Sequence, residues 1–460
     1  MKSSLYSVVL FASLSLLAVL SAGADNIFTG PGLWTDGTKW SGGRPMSSST
    51  AGAVIHGLCG VTNEEAIVYG PNKWTAIGDW GDSGRTAGRL EVKNSSMRFP
   101  GELDVGGDSS YFNEGGQTNY MAKLALGYGA GYKSARVYMK NVDYVYAGAN
   151  LTFGYSAPAA GGFAEYIQEG GRFHAGGAWT LKNKGRMSFK NAALTMSGTD
   201  TISGGSVFTA ENCGITNTTG EAIKVVNSTL ALTNCTLTTL KQVLGSSAGS
   251  FSTADFRNVQ FDNTYYVKAA SAANSTCLWT MADCVWTNRD SNAMKFGAGS
   301  NSFAVVSFRG NTLIDFTKVK SSDRYISLCE GRDSCVTIAV EDMKAADKFR
   351  LVSASIRFSS AAAGSHPRLL YRNIEGPRAF ALPTPSSTVQ GALEFDNAHY
   401  SAGKGTYFGK NQRLNIVLNN NAIFENYYAG QTYFGNDTGE KIALCATTLL
   451  SNSDRENTAI

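Results

Sequence analysis

Along most of this chain apolar and polar residues alternate for four or five positions, and the run then stops at an asparagine. The stretch Leu230-Ala231-Leu232-Thr233-Asn234-Cys235-Thr236-Leu237 states the frame as apolar, x, apolar, x, Asn, x, x, apolar. It recurs at Phe208/Ala210/Asn212/Ile215 and Met187/Phe189/Asn191/Leu194 before it. After it come Phe256/Asn258/Phe261, Trp279/Met281/Asp283/Trp286, Val306/Phe308/Gly310/Leu313, Ile338/Val340/Asp342, Leu369/Tyr371/Asn373, Leu393/Phe395/Asn397/Tyr400 and Ile416/Leu418/Asn420/Ile423. Two upstream copies are Leu90/Val92/Asn94/Met97 and Val137/Met139/Asn141/Tyr144. Strict alternation specifies a strand with one buried face and argues against a helix.

The step from Asn191 to Asn212 is 21 residues and that from Asp342 to Asn373 is 31, the range in which a fixed period means stacked repeats. One strand and a turn per repeat, with Asn at the corner, predict an all-β parallel β-helix, right-handed by prior expectation. Each coil then lies one strand spacing, ~4.8 Å, above the last, and the asparagines stack as a hydrogen-bonded ladder. Val92-Lys93-Asn94, Met139-Lys140-Asn141 and Gln168-Glu169-Gly170 align in one register. Each is followed by an apolar pair, Leu103/Val105, Leu151/Phe153 or Trp179/Leu181, which gives at least two strands per coil.

The frame sets the expected division of the chain. Residues 1–24 read as an export signal: Lys2 at the start, an apolar core from Val8 to Leu20, and the small-residue site Ala22-Gly23-Ala24. Residues 25–85 hold Trp34, Trp40, Trp74 and Trp80, four of the seven tryptophans, and are expected to cap the open first coil. The alternative for this cluster is an aromatic platform that stacks on sugars. Residues 86–425 are the β-helix, and residues 426–460 a C-terminal cap and tail, with Ile442 to Cys445 as one more short strand. The stretch after Glu425 is too short to form a membrane barrel.

Composition changes this picture little. The 460 residues include 51 Gly and 9 Pro, and 17% are charged, for a net charge of +4. No basic run argues for nucleic acid, and no apolar stretch after the signal approaches the ~20 residues of a membrane span. Eight cysteines are compatible with an oxidising compartment. Cys213 and Cys235, one coil apart, are expected to form a disulfide, as are Cys329 and Cys335 across a small loop; Cys277 and Cys284 are also close in sequence. The four His (His56, His174, His366, His399) lack ligand spacing and no Cys-x-x-Cys occurs, so neither a metal nor a cofactor is expected.

The opening Trp-x5-Trp-x-Gly-Gly-x-Pro, from Trp34 to Pro45, the run Ala122 to Gly131, and Tyr166-Ile167-Gln168-Glu169-Gly170-Gly171 resemble passenger-type repeats of secreted bacterial β-helix proteins, autotransporter-like surface proteins among them. The resemblance covers about residues 30 to 185 and implies a secreted or surface-exposed solenoid. The later half resembles, in repeat pattern only, the right-handed β-helix group that includes pectin-degrading enzymes. The hydrolase signatures of that group, Asn-Thr-Asp, Asp-Asp and Gly-His-Gly, are missing, as is the Trp-Ile-Asp-His type signature of its lyases.

Where the period swells, extra residues enter loops that carry the candidate chemistry. Asp290, Asp323, Glu330 and Asp333 are the candidate acid and base residues, as hydrolysis needs paired carboxylates ~5 to 9.5 Å apart. Asp283, Asp315 and Asp342 lie on or near ladder positions. Arg368, Arg372 and Arg378, in the densest basic segment, are candidate ligands for an acidic polysaccharide. Sequons occur at Asn94, Asn150, Asn217, Asn227, Asn234, Asn274 and Asn436, and modification at Asn234 is expected to conflict with burial in the ladder. The leading expectation is a secreted, non-catalytic surface, matrix or adhesive protein whose partner is a polysaccharide or cell-surface glycan. The alternative is a divergent polysaccharide lyase, glycoside hydrolase or glycan binder.

Overall fold

The computed structural model describes residues 25–460 except 50, 79–85, 149–150, 221, 239–240, 265, 289–293, 359, 379–380, 385, 387, 403–406, 409–412, 427–432, 435–440, 447–449 and 453–460. The expected export signal, Trp80, Asp290 and the sequons Asn150 and Asn436 lie outside the described residues. The chain is an all-β parallel solenoid and divides into two compact units between Thr195 and Met196.

In the first unit, the strands Gly88–Lys93, Ser110–Glu114, Ser134–Lys140, Phe163–Glu169 and Arg186–Lys190 stack in parallel. Leu90, Tyr111, Val137, Tyr166 and Met187 form one inward column; Val92, Asn113, Met139, Gln168 and Phe189 form the next. The alignment of Val92, Met139 and Gln168 is therefore the true register. It skipped one coil: Tyr111-x-Asn113-x-Gly115 carries a polar residue at an inward position and Gly at the corner, which hides it from an apolar search. Glycine is required at that corner. A Cβ on Gly115, whose φ is 72°, would sit 2.6 Å from Asn94 Oδ1, because the asparagine below folds over it.

The tryptophan-rich segment joins the same sheets. The strand Asn26–Thr29 pairs in parallel with Ala53–Thr62, whose second half pairs with Gly88–Lys93. Trp34 and Trp40 are buried at 0% and 4% exposure; they pack edge to face with each other, and Trp40 does so with Phe28. Rings so enclosed offer no face to a sugar, so the platform expected as the alternative is not formed by these two residues.

In the second unit the frame maps residue for residue onto the register. Phe208, Leu230, Ala254, Trp279, Val306, Ile338, Leu369, Leu393 and Ile416 are successive partners along one inward column, and Ile416 pairs onward with Leu444. Leu444 belongs to the strand Lys441–Ala446, which contains the strand expected at Ile442 to Cys445.

The strands that carry this column turn at a residue with positive φ: Asn212 at 54°, Asn234 at 52°, Asn258 at 51°, Asp283 at 55°, Asp342 at 56° and Asn373 at 52°. Asn and Asp tolerate this left-handed region better than other side chains bearing a Cβ. The ladder runs through Asn234 Nδ2 to Asn212 Oδ1 at 3.1 Å and Asn258 Nδ2 to Asn234 Oδ1 at 2.9 Å. It lies on the outside, with Asn234 exposed. The expected conflict between a modification at Asn234 and burial is thus corrected: the corner turns the side chain outward, and what a modification would meet is the hydrogen bonding on both sides. Asn217, by contrast, is fully buried.

A second corner escaped the sequence analysis. Gly205, Asn227, Gly249, Asn274, Asn301, Asp333 and Gly364 all have positive φ, and each is followed by a buried serine: Ser206, Ser228, Ser250, Ser275, Ser302, Ser334 and Ser365. Several of these hydroxyls bind turn carbonyls, such as Ser275 Oγ to Ala272 O at 2.6 Å and Ser334 Oγ to Gly331 O at 2.7 Å. The recurring (Gly/Asn/Asp)-Ser pair was legible, but it is polar and an apolar frame passes over it.

None of the seven cysteines with described side chains is in a disulfide, so the expected pairs Cys213–Cys235 and Cys329–Cys335 are not bonded here. Cys213 and Cys235 do stack on adjacent coils, as Thr236 N bonds Cys213 O at 2.9 Å. In-register parallel neighbours project side by side at about the strand spacing, ~4.8 Å, wider than the 3.5–4.5 Å between Cβ atoms that a disulfide prefers. The Cys235 thiol lies against the Cys213 side chain and against Thr233 O, at 3.1 Å from the latter. Cys329 is fully buried, whereas Cys335 lines an external groove.

Candidate functional site: an external groove on the second unit

The outward positions of the strands that turn at the Asn corner build the site. Strands Phe303–Arg309, Cys335–Met343, His366–Arg378, Gly391–Ala402 and Arg413–Asn419 are consecutive parallel neighbours. Side chains alternate faces along a strand, so the residues between the inward apolar pairs form columns on the outer surface. One column is Val305, Thr337, Arg368, Ala392 and Asn415. The next is Ser307, Ala339, Leu370, Glu394 and Val417. Small residues in these columns leave a groove of about 580 Å³, with Phe303, His366, Arg368, Arg372, Glu341 and Asn415 among its lining.

Two carboxylates organise its polar side. Glu341 accepts from Ser307 Oγ at 2.5 Å, from Arg309 Nη2 at 2.8 Å and from Arg372. Burial pushes its carboxyl up, but the hydrogen bonds from Ser307, Arg309 and Arg372 outweigh this and hold it below its ordinary value. The same carboxylate holds the Arg309 guanidinium above its usual range. Glu394 accepts from Arg368, with Nε at 2.8 Å, and from Asn419 Nδ2 at 2.8 Å. Beneath these pairs Ser307, Ala339 and Leu370 face outward yet are nearly covered.

Of the expected ligand residues, Arg368 and Arg372 line this groove and Arg378 does not. Arg378 lies beyond the corner at Asn373, where its guanidinium holds the backbone carbonyls of Lys344, Ala345 and Asp347. It clamps a loop and has few donors left for a ligand. The expected grip on an acidic chain is also altered for the other two, because both guanidiniums already hold carboxylates.

Three of the expected acid and base residues have described places. Asp323 ends the short 3-10 turn Ser321–Asp323. Glu330 is bound by Lys295 Nζ at 3.0 Å and Ser327 Oγ at 2.8 Å. Asp333 occupies the second corner with φ 56°, its Oδ1 lying 1.8 Å from where a Cβ on Gly364 would be. Among the described residues no hydrogen bond or ion pair joins any two of these three, none lines the groove, and no group of three or more metal-binding side chains occurs. Asp290 lies outside the described residues.

The sequence analysis missed Arg309, Glu341 and Glu394. The signal was present: Arg309, Glu341, Arg372 and Asp396 each follow the second inward residue of their coil, Phe308, Val340, Tyr371 and Phe395. Aligning the outward positions as the inward ones were aligned would have placed Arg309, Glu341 and Arg372 in one column and Glu394 in the column beside it.

The first unit carries its own external column, Arg98, Tyr120, Tyr146 and His174. Tyr120 and Tyr146 stack at 5.0 Å between centroids and 2° between planes, and Tyr146 stacks on His174 at 5.2 Å; Arg98 lies 4.6 Å over Tyr120. These rings cover one another's faces, so the column stabilises the sheet without presenting a stacking platform.

Searches against protein-family models, curated proteins and solved structures each return no match.

Proposed function

We propose that the protein is a non-catalytic glycan-binding solenoid, exported to work at a cell surface or in the surrounding matrix. The observation that carries this is the groove over Phe303–Arg309 to Arg413–Asn419, with a small-residue floor and two carboxylates held by arginine. Such a surface suits a sugar, since arginine and carboxylate groups keep spare donors and acceptors for hydroxyls while the floor receives the apolar face of a ring. It suits turnover poorly. A general acid for glycoside cleavage needs a raised carboxyl pKa, whereas Glu341 is held low and Glu394 faces a guanidinium. The export signal expected at residues 1–24 and the resemblance of residues 30 to 185 to secreted β-helix repeats support an extracellular placement.

The test is retention of the purified protein on immobilised polysaccharides, with parallel measurement of new reducing ends and unsaturated products. Binding is expected without product, and the Arg368→Ala/Arg372→Ala double variant should lose at least about tenfold in affinity, as expected when hydrogen-bonded charged groups are removed from a site. Product release that disappears in Glu341→Gln or Glu394→Gln would replace this function with an enzymatic one.

A further inference from the structure

The groove continues along the same face past its own rim. The strands Phe251–Arg257 and Thr276–Ala282 stack in register beneath Phe303–Arg309. The outermost column therefore runs Phe251, Thr276, Phe303, Cys335 and His366. Phe251 and Phe303 are 49% and 41% exposed, and Leu278, beside them in the next column, is 37% exposed. Unlike the tyrosines of the first unit, among the described residues neither phenylalanine stacks on another ring or a cation. Two phenyl rings stand on one line, two strand spacings or ~9.6 Å apart, which is the length of a disaccharide unit in an extended chain.

The arginines of this face are paired, and Asp396, outward beside Arg372, adds a further carboxylate. Arg257 pairs with Asp255 at 3.0 Å, and Arg309 reaches Asp342 at 3.7 Å besides Glu341. With Arg368 on Glu394 and Arg372 on Glu341, four arginines meet four carboxylates. An anionic polymer would have to displace those carboxylates, whereas a neutral polyol can bond to both partners of each pair.

Resting on the glycan-binding function proposed above, we infer that the ligand is an uncharged, extended polysaccharide that lies parallel to the stacking direction, with pyranose rings seated on Phe251 and Phe303 and the chain entering the groove beside Arg368. The path from the Phe251–Arg257 strand to the Arg413–Asn419 strand crosses six strand pairings, ~29 Å, so several consecutive sugar units contribute.

Calorimetry with the full chain tests this on two oligosaccharide series of increasing length, neutral β-linked glucans, mannans and xylans and charged galacturonans and alginates, at low and high salt. The expected result is binding of a neutral series that tightens with length, is insensitive to salt, and weakens about tenfold in Phe251→Ala and in Phe303→Ala, as loss of an aromatic stack implies. Both substitutions are at exposed sites, and circular dichroism checks that the variants fold. Binding of only the charged series, suppressed by salt, overturns this inference and leaves glycan binding standing. So does neutral-chain binding untouched by either Phe variant. Failure of both series to bind overturns the glycan-binding function itself.

Discussion

Asp104 lies in the strand Met97–Gly106 between Leu103 and Val105, and only 4% of its surface is exposed. Its Oδ1 is buried without a partner among the described residues. Burial, and to a smaller extent the charge of Glu102, pushes its carboxyl up to about 7. A carboxyl raised in the folded state favours folding while protonated. Its contribution is therefore complete below the unfolded value near 4 and is lost as pH rises through about 7. The expected outcome is a chain whose free energy of unfolding falls between pH 4 and pH 8, by up to roughly 4 kcal/mol, and an Asp104→Asn variant in which that slope is flattened. Chemical denaturation across this range measures it; an unchanged slope in the variant assigns the pH dependence to other groups. Glu341 has the opposite sign. Its lowered carboxyl contributes above its unfolded value, and the contribution is lost as pH falls through the folded one, so the two residues titrate apart.

At the scale of the element, the corner explains both the choice of residue and its limits. Asn234 combines φ 52° with a donor to one neighbouring corner and an acceptor to the other. Glycine keeps the conformation and loses the bonds; alanine loses the bonds and adds left-handed strain of roughly 1 kcal/mol. Thermal melts should thus rank wild type above Asn234→Gly and Asn234→Gly above Asn234→Ala. If alanine equals or exceeds glycine, conformation is not what selects Asn here. The inward face of each strand and this corner were legible because both repeat in the chain. The groove was only half legible. Arg368 and Arg372 stood out as a basic segment, whereas their partners Glu341 and Glu394 lie 31 and 26 residues away from them. Arg378 looked equivalent to both until the corner at Asn373 turned it onto a backbone loop. The acidic loop residues Glu330 and Asp333 are close in sequence, but one is bound by a lysine and the other sits at a turn.

For the molecule as a stack of coils, neighbouring coils supply most of each other's stabilisation, so a whole period should be removable and a fraction of one should not. Deleting residues 213–234 joins Asn212 to Cys235 and removes 22 residues, one full step of the frame. The product is expected to stay soluble and β-rich, with a melting midpoint lowered by only a few degrees. Deleting residues 224–234 instead breaks the period and puts apolar positions out of register. Circular dichroism and melting should find it unfolded, and a folded half-coil deletion would show that the register is not what holds the stack.

The sequence by itself determined the period, the inward columns and the outer Asn corner, because each depends on contacts between equivalent positions of successive coils, and equivalence is visible as repetition. Only the tertiary structure decided that the described cysteines carry no disulfide, that Trp34 and Trp40 are enclosed, and that Arg309, Arg368 and Arg372 meet Glu341 and Glu394 on one face. Those outcomes depend on which side of a strand a residue faces and on what the coils above and below present there. They differ from coil to coil, so no repeat announces them.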